Sequence, residues 1–294
     1  MENMDKHPLA GNTDIDSAFS GTWQFYKKWF TPMYAISFIM ALIISVLTSR
    51  IDMSSLQNTT DIAVMMETVK SFFGVYVVIM LIALFFNTLL QYFIIMKPLD
   101  ENFSIIDAAG KVLTRYYLPL LVVFIVLFFF SMLAMMVGVL VLFVGILFAI
   151  PYVILFFAMA TPLLIIEGRG IGDTISSLFK LVHKRFWPNM GWISVYVVLV
   201  TFFSLIVSTL VMLPFSGSVF GSMFKPEAAT EVVNFTRNPA FVILSSLTSA
   251  LTTPILPILG LVLYFNNSEL NTGTTGERYD RSDHGKVKVE DLMP

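Results

Sequence analysis

Cysteine is absent, which excludes disulfides, thiolate nucleophiles and Cys-ligated metals. Charge is scarce: 13% of the 294 residues are Asp, Glu, Lys or Arg, and the net charge is −2. So small a balance draws in neither nucleic acid nor acidic substrates, and no nucleic-acid partner is expected. The three histidines, His7, His183 and His284, lie far apart in sequence, so a His-built metal site is not expected. A phosphate loop, a hydrolase elbow, HExxH and paired catalytic carboxylates are all missing. No cofactor and no catalytic residue are therefore expected. The opening, MENMDKHPLAGNTDIDS, lacks the basic stretch and apolar core of a cleavable signal. Residues 1–15 read as disordered, and the first span as the insertion signal.

Apolar length is what the chain has in quantity. It is 56% hydrophobic and its mean hydropathy is +0.80, more apolar surface than a soluble domain of this size can hide. The expected fold is an all-α integral membrane protein with six spans. These fall at about 32–49, 71–96, two within Leu118–Ile166, 189–213 and 240–265. The run Leu118–Ile166 holds 49 residues without a charge, room for two spans of roughly 20 with a turn near Gly138–Gly145. Pro151 and Pro162 should kink the fourth span, and Pro254 and Pro257 fall inside the sixth. No expected span holds Asp, Glu, Lys, Arg or His, which proton relays and ion-coupled transporters need at that depth. Residues 266–294 read as a disordered tail.

Of the 18 Lys and Arg residues, 14 fall on the N-terminus, the 97–117 and 167–188 loops and the tail. The other 4 fall on the 50–70 and 214–239 loops. The positive-inside bias places both termini in the cytoplasm.

Three segments on that side share a pattern. Asp16–Phe30 spaces Phe19, Trp23, Tyr26 and Phe30 along a helical stripe and ends in Lys27-Lys28-Trp29-Phe30-Thr31-Pro32. Asp100–Tyr117 has Ile105/Ile106, Ala109, Val112/Leu113 and Tyr116/Tyr117, ending in Arg115-Tyr116-Tyr117-Leu118-Pro119. Asp173–Pro188 ends in Lys184-Arg185-Phe186-Trp187-Pro188 and aligns with the first without gaps from the Asp to the aromatic pair. Each reads as a cytoplasmic amphipathic helix lying in the membrane interface, its stripe in the headgroup boundary and its cations on anionic lipid, about 1 kcal/mol each. The proline suits the first turn of the span that follows. The chain thus divides into repeat-like units 16–96, 103–166 and 173–265, each an interfacial helix followed by a hairpin of two spans. Independent connectors of similar chemistry are the alternative.

Within Ile150–Trp187, Pro151 stands early in a span, the apolar run ends in Glu167-Gly168, and an amphipathic helix with Leu178 and Leu181 ends in Arg185 and Trp187. This pattern is similar to the membrane domain found N-terminal to some bacterial glycerophosphoryl diester phosphodiesterases and to related multi-pass proteins. The family often carries Ser three residues before the position of Leu181, where this chain has Leu178 after Ser176-Ser177. The resemblance implies a bacterial inner-membrane protein. It does not imply phosphodiesterase activity, which in that family belongs to a separate soluble barrel.

The candidate headgroup- or partner-contacting residues are Lys27, Lys28, Trp29, Arg115, Tyr116, Tyr117, Glu167, Arg169, Lys184, Arg185 and Trp187. Glu167 could pair with Arg169 or Arg185, or simply end its span, while Asp173 reads as a first-turn acid or N-cap. Asn87 and Gln91 share a helix face at i, i+4, and Ser245, Thr248 and Thr252 share another. They would line a polar cavity in a carrier, or hydrogen-bond and pack within a bundle. The expected function is a non-enzymatic membrane component that binds lipid or a membrane-protein partner through its cytoplasmic helices. A carrier for a lipid-like or neutral solute is the alternative. A headgroup-modifying enzyme, the third class, would need Glu167, His183 and Arg185 to converge.

Overall fold

In hydrocarbon a backbone must satisfy its own N–H and C=O groups, and a chain this apolar does so by forming helices. The computed structural model describes residues 4–11, 14–50, 62–213 and 237–268, and contains no strand among them. Residues 51–61 and 214–236 of the expected loops, and the tail beyond Ser268, lie outside those residues, while residues 62–70, expected in a loop, begin a helix.

Helix α1 (Ile15–Lys28) is followed by α2 (Phe30–Ser49) and α3 (Ile62–Met96). A short α4 (Ile105–Lys111) passes through a π-turn (Val112–Tyr116) into α5 (Tyr117–Leu140), which turns at Val141 into α6 (Leu142–Glu167). Then come α7 (Ile171–Lys184), α8 (Phe186–Met212), α9 (Pro239–Thr252) and α10 (Ile255–Asn267). Among the described residues, six helical stretches are long and apolar enough to cross a membrane. The protein is an all-α multi-pass membrane protein.

Helix α6 is the centre. Of its most apolar stretch 72% is enclosed by protein, against 6% for α8. Helices α5 and α6 form a hairpin, α2 packs on α3, and α3 and α7 lie against α6. The three units also interlock, because α2 runs along α9 and α10 along α6. The α6–α10 contact is backbone against backbone: a Cβ on Gly260 would overlap the Ala158 carbonyl oxygen. Small residues permit this approach, and without water to expel, such packing is what holds spans together.

The sixth span is two helices. Pro254 and Pro257 have no N–H for the carbonyls one turn back, so the chain breaks at Thr253–Pro254. Tyr26 Oη, from α1, donates to the Leu251 carbonyl at 2.8 Å, and Tyr34 Oη, from α2, donates to the Leu247 carbonyl at 3.3 Å. Two aromatic hydroxyls thus tie the last turns of α9 to α1 and α2.

Two segments expected to be disordered are ordered where described. Residues 4–10 form a strap with Met4, His7 and Leu9 buried, because His7 finds hydrogen bonds and aromatic faces on the bundle. At the other end α10 continues through Asn266 and Asn267, since the Asn267 amide is buried in hydrogen bonds.

The amphipathic stripes dock mainly on protein. In α7, Thr174, Leu178 and Val182 are fully buried. In α1, Ala18, Thr22, Phe25 and Tyr26 are buried, while Trp23 of the expected stripe is exposed. In the middle segment Ala108, Val112 and Tyr116 are buried, leaving Ile106 and Leu113 outward. Each segment therefore has a protein-facing flank and an exposed apolar flank.

Gly260→Ala should lower stability by about 2 kcal/mol or more, since the added methyl meets backbone and not a movable side chain. Gly110→Ala, with open space at its Cβ, should gain up to roughly 1 kcal/mol as a helix-interior replacement. Thermal unfolding of both variants in detergent checks this; a Gly260→Ala protein as stable as the parent contradicts the packing described.

Candidate functional site

A reversal of the chain builds the site. Gly168 takes φ 61°, the left-handed conformation that ends α6, and its N–H bonds to the Leu164 carbonyl at 3.1 Å. Gly170 opens α7 without a side-chain cap, so the expected Asp173 N-cap is not formed; Asp173 sits in the first turn. Helix α7 then leans back along α6. Phe179 meets Phe130 at 5.1 Å and Phe156 at 4.8 Å between ring centroids. His183 reaches Tyr152, whose position 15 residues before Glu167 is about 22 Å back along α6.

Pro188 is the third residue of α8, and the chain breaks at Arg185, with φ −133° and ψ 56°. An amide pair fixes the far wall. Asn267 Nδ2 donates to Asn189 Oδ1 at 3.0 Å, and Asn189 Nδ2 donates to Asn267 Oδ1 at 3.3 Å and to the Val182 carbonyl at 3.1 Å.

Between the ends of α6, α7 and α10 lies a cleft of about 1050 Å³. Leu163, Ile166, Leu181 and Met4 give it apolar walls; Glu167, Arg169, Ser177, Lys180, His183 and Lys184 give it polar ones. Glu167 Oε2 pairs with Arg169 Nε at 2.8 Å, and Oε1 accepts from Tyr264 Oη at 3.2 Å. Arg169 Nη1 donates to Ser177 Oγ at 3.0 Å, and Lys184 Nζ to the Asn267 carbonyl at 3.0 Å. Lys180 has no partner among the described residues. The cleft thus sets Arg169, Lys180 and Lys184 against one carboxylate. His183 has Nδ1 2.8 Å from the Phe179 carbonyl and Nε2 3.1 Å from Tyr152 Oη. Facing a carbonyl, Nδ1 is the donor in the first of these contacts.

Of the candidates, Glu167, Arg169 and Lys184 come together here, while Arg185 and Trp187 do not line the cleft. The others sit in separate cation–π contacts. Lys27 lies 5.8 Å from the Trp23 ring, Lys28 5.4 Å from Trp29, and Arg115 5.5 Å from Tyr116. Trp29 and Tyr116 also pack inward, on Phe93 and Tyr92, and Tyr117 Oη donates to the Leu81 carbonyl. Glu167 and His183 share the cleft, but each is bonded to other partners and Arg185 is not with them.

The span polar residues serve their own helices. Asn87 Nδ2 donates to the Ala83 carbonyl at 2.8 Å, with the Met40 sulfur of α2 at 3.7 Å, while Gln91 Nε2 is buried without a partner. Ser245, Thr248 and Thr252 donate to Val242, Leu244 and Ser249 carbonyls. The expected interhelical amide bonds are thus reduced to one weak sulfur contact, because the carbonyl one turn back is nearer. Sequence reasoning missed Ser177, Lys180, Tyr264 and the Asn189–Asn267 pair. Only Lys180, one turn before Lys184 on the polar face, carried a readable signal.

The strap flanks the cleft through Met4. His7 Nε2 donates to the Ile94 carbonyl at 3.0 Å, Nδ1 accepts from the Leu9 N–H at 3.2 Å, and the ring lies between Phe25 and Phe265. No group of three or more metal-binding side chains occurs among the described residues. Comparison with family models, with curated proteins and with solved structures yields no match, so the family resemblance of residues 150–187 rests on its motif residues alone.

Burial lowers the His7 pKa from 6.5 to about 4, the Ile94 hydrogen bond opposing in part. The folded strap therefore prefers neutral imidazole, while the released strap binds a proton below about pH 6.5. Its docking is at full strength above that pH and weakens as pH falls toward 4. The hydrogen-exchange protection factor at residues 4–10, taken against the intrinsic rate at each pH, should fall over that interval; a protection factor that does not change with pH contradicts the assignment.

Proposed function

We propose that the protein is a lipid-binding component of a bacterial inner membrane, with both termini cytoplasmic, and that the cleft holds anionic headgroups. The observation that carries this is Lys180 and Lys184, one turn apart, facing apolar Leu163, Ile166 and Leu181 beside a partly neutralised Arg169. Cations above a greasy wall suit a headgroup joined to hydrocarbon, and a free metabolite less well. The exposed apolar flanks of the amphipathic segments, Trp23, Ile106, Leu113 and Trp187, suit helices that also touch lipid. For a carrier, the span hydroxyls and Asn87 are already bonded to their own helices. For an enzyme, Glu167 and His183 are held by Arg169, Tyr264, Phe179 and Tyr152.

Native mass spectrometry of the purified protein should show long-chain phosphatidylglycerol retained over phosphatidylcholine. Lys180→Ala with Lys184→Ala should weaken phosphatidylglycerol binding roughly tenfold or more, from about 1 kcal/mol per cation. Equal retention of both lipids, or no loss in the double variant, overturns the reading. The cysteine-free chain also permits a direct topology test. Ser54→Cys should react with an impermeant maleimide on intact cells and Ser20→Cys should not; the reverse pattern places the cleft on the other side.

A further inference from the structure

On the other flank of α7 a second cavity of about 800 Å³ opens between α5, α6 and α8. Apart from His183 and Tyr152 its walls are apolar, with Phe130, Val137, Gly138, Gly145, Phe148 and Phe186 among them. His183 lines this groove and the cleft alike. Cation-lined and hydrocarbon-lined spaces therefore meet at one side chain, and Tyr152, its hydrogen-bond partner, also lines the groove. From Phe130 in α5 to Val141 at its C-terminal cap the groove spans 11 residue steps, or about 16 Å at helical rise. That is close to half of a bilayer core of about 30 Å, the depth one acyl chain occupies in one leaflet.

We infer that the cleft and the groove form one bipartite site for a single anionic phospholipid. The headgroup lies among Lys180, Lys184 and Arg169, one acyl chain lies in the α5–α6–α8 groove, and His183 with Tyr152 marks the junction. The inference rests on the cleft reading and adds a requirement for a long chain. A comparable apolar groove between α1, α8 and the α9–α10 break is not joined to the cationic cleft by any shared residue, so the argument does not extend to it.

The test measures binding of two probes to the full chain in detergent. One is long-chain phosphatidylglycerol; the other is its water-soluble short-chain counterpart. Ala134→Phe and Val137→Trp fill the groove from residues that line it, and thermal unfolding identifies any variant that fails to fold. The expected result is a loss of roughly tenfold or more for the long-chain lipid, from the apolar contact forfeited, with short-chain binding unchanged. If both groove variants bind the long-chain lipid as the parent does, while Lys180→Ala weakens both probes, the acyl groove is overturned and the cleft reading stands. If Lys180→Ala and Lys184→Ala leave both probes unaffected, the cleft reading falls and this inference falls with it.

Discussion

Proline's missing N–H sets the geometry of this protein. Pro32, Pro119 and Pro188 each stand third in the helix that begins a span, and each leaves the carbonyl four residues earlier without its helical donor. The chain responds at the residue three before the proline. Trp29 takes φ −112° and ψ 23°, Arg185 φ −133° and ψ 56°, and Tyr116 φ −107° at the end of a π-turn. Two of these responses break the helix and redirect it; the third absorbs the fault by widening one turn. The residue whose carbonyl is left open is basic each time, Lys28, Arg115 and Lys184. Counted from the proline, the first and third segments correspond one residue out of step with the gapless alignment from their aspartates. The structural correspondence follows the proline because that is where the backbone constraint lies.

Redirection is what makes a cleft. A straight continuation of α7 into α8 would carry Lys184 away along the span. The break at Arg185 instead lets α7 lie back on α6 while α8 departs, with Asn189 of α8 free to close on Asn267 of α10. The left-handed Gly168 does the corresponding work at the other end of α7. The cleft is thus bounded by two backbone devices and one buried amide pair, all independent of the side chains that give it charge.

The spans were legible because hydropathy over about 20 residues is a statement about solvent, and the solvent here is lipid. The direction of the amphipathic stripes was legible only in part: Leu178 lies on the buried face of α7, but Trp23 and Phe30 of the first stripe and Ile105, Ile106 and Leu113 of the second are exposed. Their destination was not, because an apolar face does not say whether protein or lipid covers it. Tyr26 in α1 shows the difference, since its hydroxyl donates to the Leu251 carbonyl in the last turn of α9, more than two hundred residues away. The strap was illegible for a related reason. MDKHPLA is polar and short, and nothing local in it says that His7 has an open carbonyl at Ile94 and two aromatic rings waiting for it. The cleft was half legible: Glu167, Arg169 and Lys184 stood out as interface residues, but their meeting depends on the fold-back of α7.

Within the cleft, Glu167 decides how much positive charge is available. Its two oxygens face Arg169 and Tyr264, so the guanidinium is largely answered locally and held beside Ser177. Lys184 is tied to a neutral carbonyl, which orients it, and among the described residues neither its charge nor that of Lys180 is met by a carboxylate. The net field therefore comes from two ammonium groups on one flank of α7, near the junction with the apolar groove. Ammonium groups act as compact point charges, where a guanidinium imposes a planar, bidentate geometry. On the proposed lipid-binding reading, a site built that way would select for an anion attached to hydrocarbon more than for any one headgroup shape. Because its walls are fixed by backbone and amide contacts, little ordering has to accompany binding.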